Sequence, residues 1–191
     1  MNNQYKKLLL SYVMVVMLLC GCATAAEEKD SVAQGAESTS DSGENSASAE
    51  ILFEGKDMEG NPVSSDMFSE SNITMINVWA TYCSPCLSEM PELGELAQEY
   101  DAKELQIIGI VSNVPEGAND EKIKLVEVLI EQTGADYPHL LLNESLNGGL
   151  LADVTAVPMT FFFDQEGKLL DTIVGSREKS AWKEMIDGFL K

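Results

Sequence analysis

Cys83 and Cys86, set two residues apart in Trp79-Ala80-Thr81-Tyr82-Cys83-Ser84-Pro85-Cys86, are the residues of this chain best suited to covalent chemistry. They follow an apolar run, Ile73-Thr74-Met75-Ile76-Asn77-Val78-Trp79, that reads as a buried strand. A strand feeding a Cys-x-x-Cys turn that opens a helix places the first sulfur at the helix's positive end. There the backbone N–H groups and the dipole favour a thiolate over a thiol. The second sulfur lies one turn later, within reach to close a disulfide. This arrangement suits the passage of two electrons between dithiols and disulfides. Cys83, at the helix start, is the expected attacker, and the more buried Cys86 is expected to resolve the mixed disulfide. Pro85 has no N–H and suits a first helical turn.

Other uses of the pair fit less well. A zinc site needs four ligands, and the chain offers no second Cys-x-x-Cys, only His139. Haem attachment would need histidine after Cys86, where Leu87 stands. A structural disulfide stays open. No metal or cofactor is expected.

Glu89 lies three positions after Cys86 and shares its helical face. Pointing inward, its carboxyl would have a raised pKa and could take or give a proton as the disulfide opens. Pointing outward, it would be an ordinary first-turn glutamate favoured by the dipole. Trp79 and Tyr82 suggest an aromatic recognition surface beside the sulfurs. His139, next to Pro138, reads as a bland histidine in a loop.

Positioning these residues requires a full domain. Residues 51–191 are of single-domain size and show no internal repeat. Ile51–Phe53 and Asn61–Val63 suggest an opening hairpin around Gly55–Gly60. Strands are expected at 73–80, 105–111 and 140–142, with a hairpin of 159–164 and 168–174 around Gln165-Glu166-Gly167. Helices are expected at 84–100, 121–132, 148–154 and 178–190. In the last, Trp182, Met185, Ile186 and Phe189 recur at helical spacing. The order predicts an α/β fold with a mixed sheet covered on both faces.

The preceding residues read as an address. Lys6 and Lys7 precede an apolar stretch, Leu8 to Leu19, with the pattern of a signal peptide over 1–21 and shorter than the roughly 20 residues of a membrane span. It ends in Leu19-Cys20-Gly21-Cys22, which resembles a bacterial lipobox with Cys22 as the lipidated residue; an ordinary secretory signal is the alternative. Cys20 would leave with the signal, so of the four cysteines only Cys83 and Cys86 remain for redox work. Residues 22–50, rich in Ala, Ser, Glu, Gly and Asp, read as an acidic, unstructured tether. The formal charge of −20 argues against nucleic acid or anionic lipid as partners. The membrane would be reached through lipid on Cys22.

The motifs together resemble the thioredoxin-like fold, in its extracytoplasmic TlpA/ResA-like branch of the AhpC/TSA-redoxin superfamily. Asn77-Val78-Trp79-Ala80-Thr81 looks like that branch's strand signature, and Cys86-Leu87-Ser88-Glu89-Met90-Pro91 like its C-x-x-E-x-P. Ala156-Val157-Pro158-Met159-Thr160 looks like the family's cis-proline loop, and the segment from Leu105 to Leu142 like the branch's β-α insertion after an N-terminal extension. Tyr82 departs from the usual tryptophan. The resemblance implies a cis Pro158 facing the cysteines, client docking along the backbone of Val157, and a functional Glu89. Pro91 would be the helix-kinking proline. Thioredoxin carries a buried Asp six residues before its first cysteine; here that place holds Asn77, so Glu89 is the better proton carrier.

The implied function is a lipid-anchored thiol–disulfide oxidoreductase on the extracytoplasmic face of a bacterial membrane. It would reduce client proteins such as apocytochrome c or a methionine sulfoxide reductase, and a membrane electron donor of the CcdA/DsbD type would recharge it. A thiol peroxidase would want P-x-x-x-T-x-x-C, and nothing of that form leads to Cys83. A lipoprotein with a static Cys83–Cys86 bridge is the non-enzymatic alternative.

Overall fold

The computed structural model describes residues 51–191, so Cys20, Cys22, the expected signal and the tether lie outside the described residues. Strand β3, Ile73–Trp79, is buried along its whole length and is the middle of a five-stranded sheet of order β5-β4-β3-β6-β7. Strands β4 (Leu105–Pro115) and β5 (His139–Leu142) continue it in parallel, while β6 (Met159–Asp164) pairs antiparallel with β3 and β7 (Leu169–Val174) antiparallel with β6. A separate two-stranded sheet, β1 (Glu54–Lys56) with β2 (Pro62–Ser64), opens the domain. The helices are α1 (Ser84–Glu99), α2 (Asp120–Thr133), α3 (Glu144–Gly148) and α4 (Lys179–Phe189).

The period-2 alternation of β3 sorts two cores. Ile73, Met75 and Trp79 face α1, α2 and α4, packing with Met90, Leu93, Val126 and Trp182. Ile76 and Val78 face the other way, towards Phe53, Phe68, Leu146 and Phe163. Asn77 shares the parity of Met75 and Trp79, so it projects towards α1. The predicted mixed sheet, covered on both faces, is the observed one. Gly94 allows α1 to lie close against α2, because a Cβ there would overlap the carbonyl of Gly134.

Several elements differ from expectation. The helix expected at 148–154 lies earlier, at Glu144–Gly148, because Asn143 caps it: its Oδ1 accepts from Leu146 N–H at 2.9 Å. A 3-10 turn at Ser65–Glu70 buries Met67 and Phe68. The opening strands shift to β1 and β2, and Asp57 builds their turn by accepting from the N–H groups of Glu59 and Asn61 at 3.0 and 2.8 Å. Strand β4 runs on to Pro115, past an irregularity between Val111 and Pro115.

His139 is not in a loop. It opens β5, is buried, and its ring lies against Gly109 of β4, where a Cβ would overlap it. Gly109→Ala should therefore destabilise the protein by about 1–3 kcal/mol, through overpacking against a rigid ring. A urea denaturation midpoint close to wild type would contradict that contact.

Candidate active site

The β3–α1 connection is pinned from β4. Asn113 Oδ1 accepts from Thr81 N–H at 3.0 Å, and its Nδ2 donates to Thr81 Oγ1 at 2.8 Å. Ser112 Oγ donates to the carbonyl of Trp79 at 3.0 Å. These bonds fix the chain two and four residues ahead of Cys83. Cys83 is the N-cap of α1, and Pro85 follows inside the first turn. The Cys86 N–H donates to Cys83 Sγ at 3.2 Å. Pro85 offers no amide, so this donor and the helix dipole act together on the first sulfur. Cys83 and Cys86 are joined in a disulfide, with Cα atoms 5.3 Å apart. Cys83 retains 6% exposure and Cys86 none. The first sulfur is thus the one a partner can reach.

Glu89 points inward, with 3% exposure. Its Oε1 accepts from Asn77 Nδ2 and its Oε2 from the backbone N–H of Arg177, both at 3.1 Å. Asn77 Nδ2 also donates to Thr160 Oγ1 at 3.1 Å. Burial pushes the Glu89 carboxyl above the ordinary glutamate range, while the bonds from Arg177 and Asn77 pull the other way without cancelling it. The inward reading of Glu89 is therefore the observed one. A carboxyl with a raised proton affinity sits one helical turn beyond the buried sulfur.

Trp79 corrects an expectation. It is fully buried and presents no surface to a client, because its strand parity turns it towards α1. Its Nε1–H donates to His139 Nδ1 at 3.1 Å, and His139 Nε2 lies 3.0 Å from the carbonyl of Ala135. The indole fixes the tautomer: Nδ1 accepts, so the proton is on Nε2. Tyr137 stacks on the ring at 4.6 Å between centroids. Burial lowers the His139 pKa from 6.5 to about 4. The unfolded chain therefore binds a proton first as pH falls, and His139 costs stability progressively between pH 6.5 and about 4. His139→Gln should lose that part of the acid sensitivity, read as a flatter change of urea midpoint over this range. An unchanged slope would exclude the ring as its source.

Tyr82 is 75% exposed and lines a hollow of about 230 Å³ together with Thr155, Ala156 and Val157. The Val157–Pro158 bond is cis, as anticipated, and Pro158 is buried. No hydrogen bond engages the N–H or carbonyl of Val157 among the described residues. The structure thus brings Tyr82 and Val157 to one surface beside the disulfide, with Glu89 beneath it and Trp79 removed to the core. Asn113, Thr160 and the backbone of Arg177 were not anticipated. Only Thr160 carried a signal, since a polar residue inside a buried apolar strand needs a partner.

The AhpC/TSA family model matches residues 48–172. The chain belongs to the AhpC/TSA family. A "Thiol-disulfide oxidoreductase ResA" from Bacillus thuringiensis is 30% identical over 116 residues, which cover 61% of this chain and 60% of that protein. The chain thus spans about three fifths of the length of this relative. Among solved structures, a thioredoxin-family thiol:disulfide interchange protein from Chlorobium tepidum superposes with a TM-score of 0.61 at 25% identity, covering 74% of this chain and 94% of that one. The exposed lipoprotein thioredoxin Etrx1 of Streptococcus pneumoniae gives 0.55 at 27%, covering 72% and 98%. The fold of this AhpC/TSA member is thioredoxin-like. Among the described residues no helix is long and apolar enough to cross a membrane.

Proposed function

We propose that this protein is a thiol–disulfide oxidoreductase that reduces disulfides of client proteins outside the cytoplasmic membrane, tethered there by lipid on Cys22. The observation that carries the reading is the Cys83–Cys86 disulfide at the N-cap of α1, with an amide directed at its outer sulfur. The relatives named for thiol–disulfide exchange support it. The lipoprotein named among the structural neighbours supports the tether.

In the working cycle the reduced Cys83 thiolate attacks one sulfur of a client disulfide. A Cys83–client S–S bond forms, the client's own bond breaks, and its departing thiolate takes up a proton. Cys86 then loses its proton and attacks Cys83 Sγ, forming the intramolecular disulfide and releasing the second client thiol. The client gains two electrons and two protons: one proton is the one Cys86 gives up, and the other comes from solvent because Cys83 enters as the thiolate. Glu89, one turn from Cys86, is the group placed to accept the Cys86 proton. Tyr82 and the free backbone of Val157 form the docking surface, with Pro158 behind it. A dithiol donor of the CcdA/DsbD type restores the pair, and apocytochrome c thiols or a methionine sulfoxide reductase are client classes of suitable chemistry.

Trapping tests this reading. With the resolving thiol removed in Cys86→Ser, the full chain should accumulate mixed disulfides through Cys83 and release them on reduction. If Cys83 stays reactive towards a small disulfide yet captures no protein, the client-reductase reading fails. A potential below about −300 mV with no insulin reduction would mark the bridge as structural instead.

A further inference from the structure

An open groove of about 910 Å³ runs between the β1–β2 hairpin and the corner where β5 meets α3. Its walls are tied together. Asn143 Nδ2 donates to the carbonyl of Glu54 and to Glu116 Oε1, each at 3.0 Å, and Glu54 N–H donates to Ser145 Oγ at 3.1 Å. The groove is therefore preformed. Leu142 and Asn147 line both this groove and the smaller hollow that holds Tyr82 and Val157, so the two adjoin across these residues. Along its length Pro62, Val63, Pro115 and Leu142 supply apolar surface, while Glu54, Glu116 and Glu144 outweigh the single Lys56.

A volume near the top of the small-ligand range would suit a compact molecule if it were enclosed. This one is open and adjoins the hollow lined by Tyr82, the chain neighbour of Cys83, which suits a length of chain. We propose that the groove seats the stretch of a client next to its reacting cysteine, and that it selects a stretch carrying lysine or arginine beside an apolar residue. This rests on the thiol–disulfide reading above. The cysteine lies at the Tyr82–Val157 hollow, and the flanking chain continues over Leu142 and Asn147 into the acidic groove. The carboxylates give the client side chain a partner, and the apolar floor takes its neighbour.

The test uses the prereduced full chain and three single-cysteine peptides, each disulfide-linked to the same chromophoric thiol and flanked by lysine, serine or glutamate. A neutral small disulfide, 2-hydroxyethyl disulfide, serves as a substrate too short to enter the groove. The lysine peptide should react faster than the glutamate peptide, and the double variant Glu54→Lys/Glu144→Lys should lower that preference about three- to tenfold, as expected for two exposed charge pairs. Its rate with 2-hydroxyethyl disulfide should not change, which also shows that it is folded. A control variant with the same charge change elsewhere, Glu131→Lys/Glu184→Lys, should keep the wild-type preference. If the control shifts the preference equally, or the groove variant leaves it intact, the docking proposal is overturned. If the wild type reacts with neither the peptides nor 2-hydroxyethyl disulfide, it is the thiol–disulfide reading itself that fails.

Discussion

Cys83→Ser should abolish reduction of insulin disulfides, a loss of at least about a thousandfold, because the other cysteine among the described residues, Cys86, is fully buried and out of a client's reach. Cys86→Ser should behave differently. It should still open a small disulfide once per molecule and then stall as a mixed disulfide. The asymmetry follows from the two environments. Cys83 caps α1, keeps a little exposure and receives the Cys86 amide. Cys86 is sealed in the apolar core. Single-turnover mass spectrometry distinguishes the two variants: an adduct on Cys86→Ser and none on Cys83→Ser. An adduct formed equally by both would invert or erase the assigned roles.

The second large effect is expected at Glu89. Glu89→Gln should slow the resolving step about a hundredfold near neutral pH, the usual scale for loss of a positioned proton acceptor. It should also make the folded protein more stable. The wild-type carboxyl has a raised pKa, so the folded state binds its proton more tightly than the unfolded chain does. Its contribution to stability is complete below the ordinary glutamate pKa and is lost as pH rises through the raised value. At pH 7 wild type bears that cost and the glutamine variant does not. The amide can be accommodated: its oxygen faces the Arg177 N–H, and Asn77 can turn its unpartnered Oδ1 towards the new amide hydrogens. Melting temperatures should therefore diverge towards neutral pH and converge towards pH 4, with the glutamine variant the more stable but the slower of the two near neutral pH. An unchanged pH–rate profile would remove Glu89 from the proton path.

The parts of this protein that could be read in advance are those written in long or rigid patterns. The buried run at β3, the Cys-x-x-Cys turn and the helical spacing of Trp182 to Phe189 each span enough residues for periodicity to speak. Helix α3 does not. It is five residues long, and its position depends on one cap from Asn143 rather than on an apolar stripe. Trp79 is more instructive. Its parity with Ile73 and Met75 already placed it on the core side of β3, but adjacency to the cysteines suggested a recognition role that the pleat forbids. The partners of Trp79 and Glu89 were beyond reach for another reason. His139 lies 60 residues from Trp79 along the chain, and Arg177 lies 88 from Glu89. Only the completed sheet brings them together.

The hold on Glu89 has a consequence for how such proteins diverge. The donor at position 177 is the main chain, not the guanidinium, which instead reaches the carbonyls of Gly175 and Ser176. A main-chain donor is indifferent to the side chain it belongs to. Position 177 can therefore drift among residue types while still gripping the buried acid, with proline alone excluded because it has no N–H. Selection acting on that grip would leave no mark in the identity of the residue, only in the absence of one amino acid.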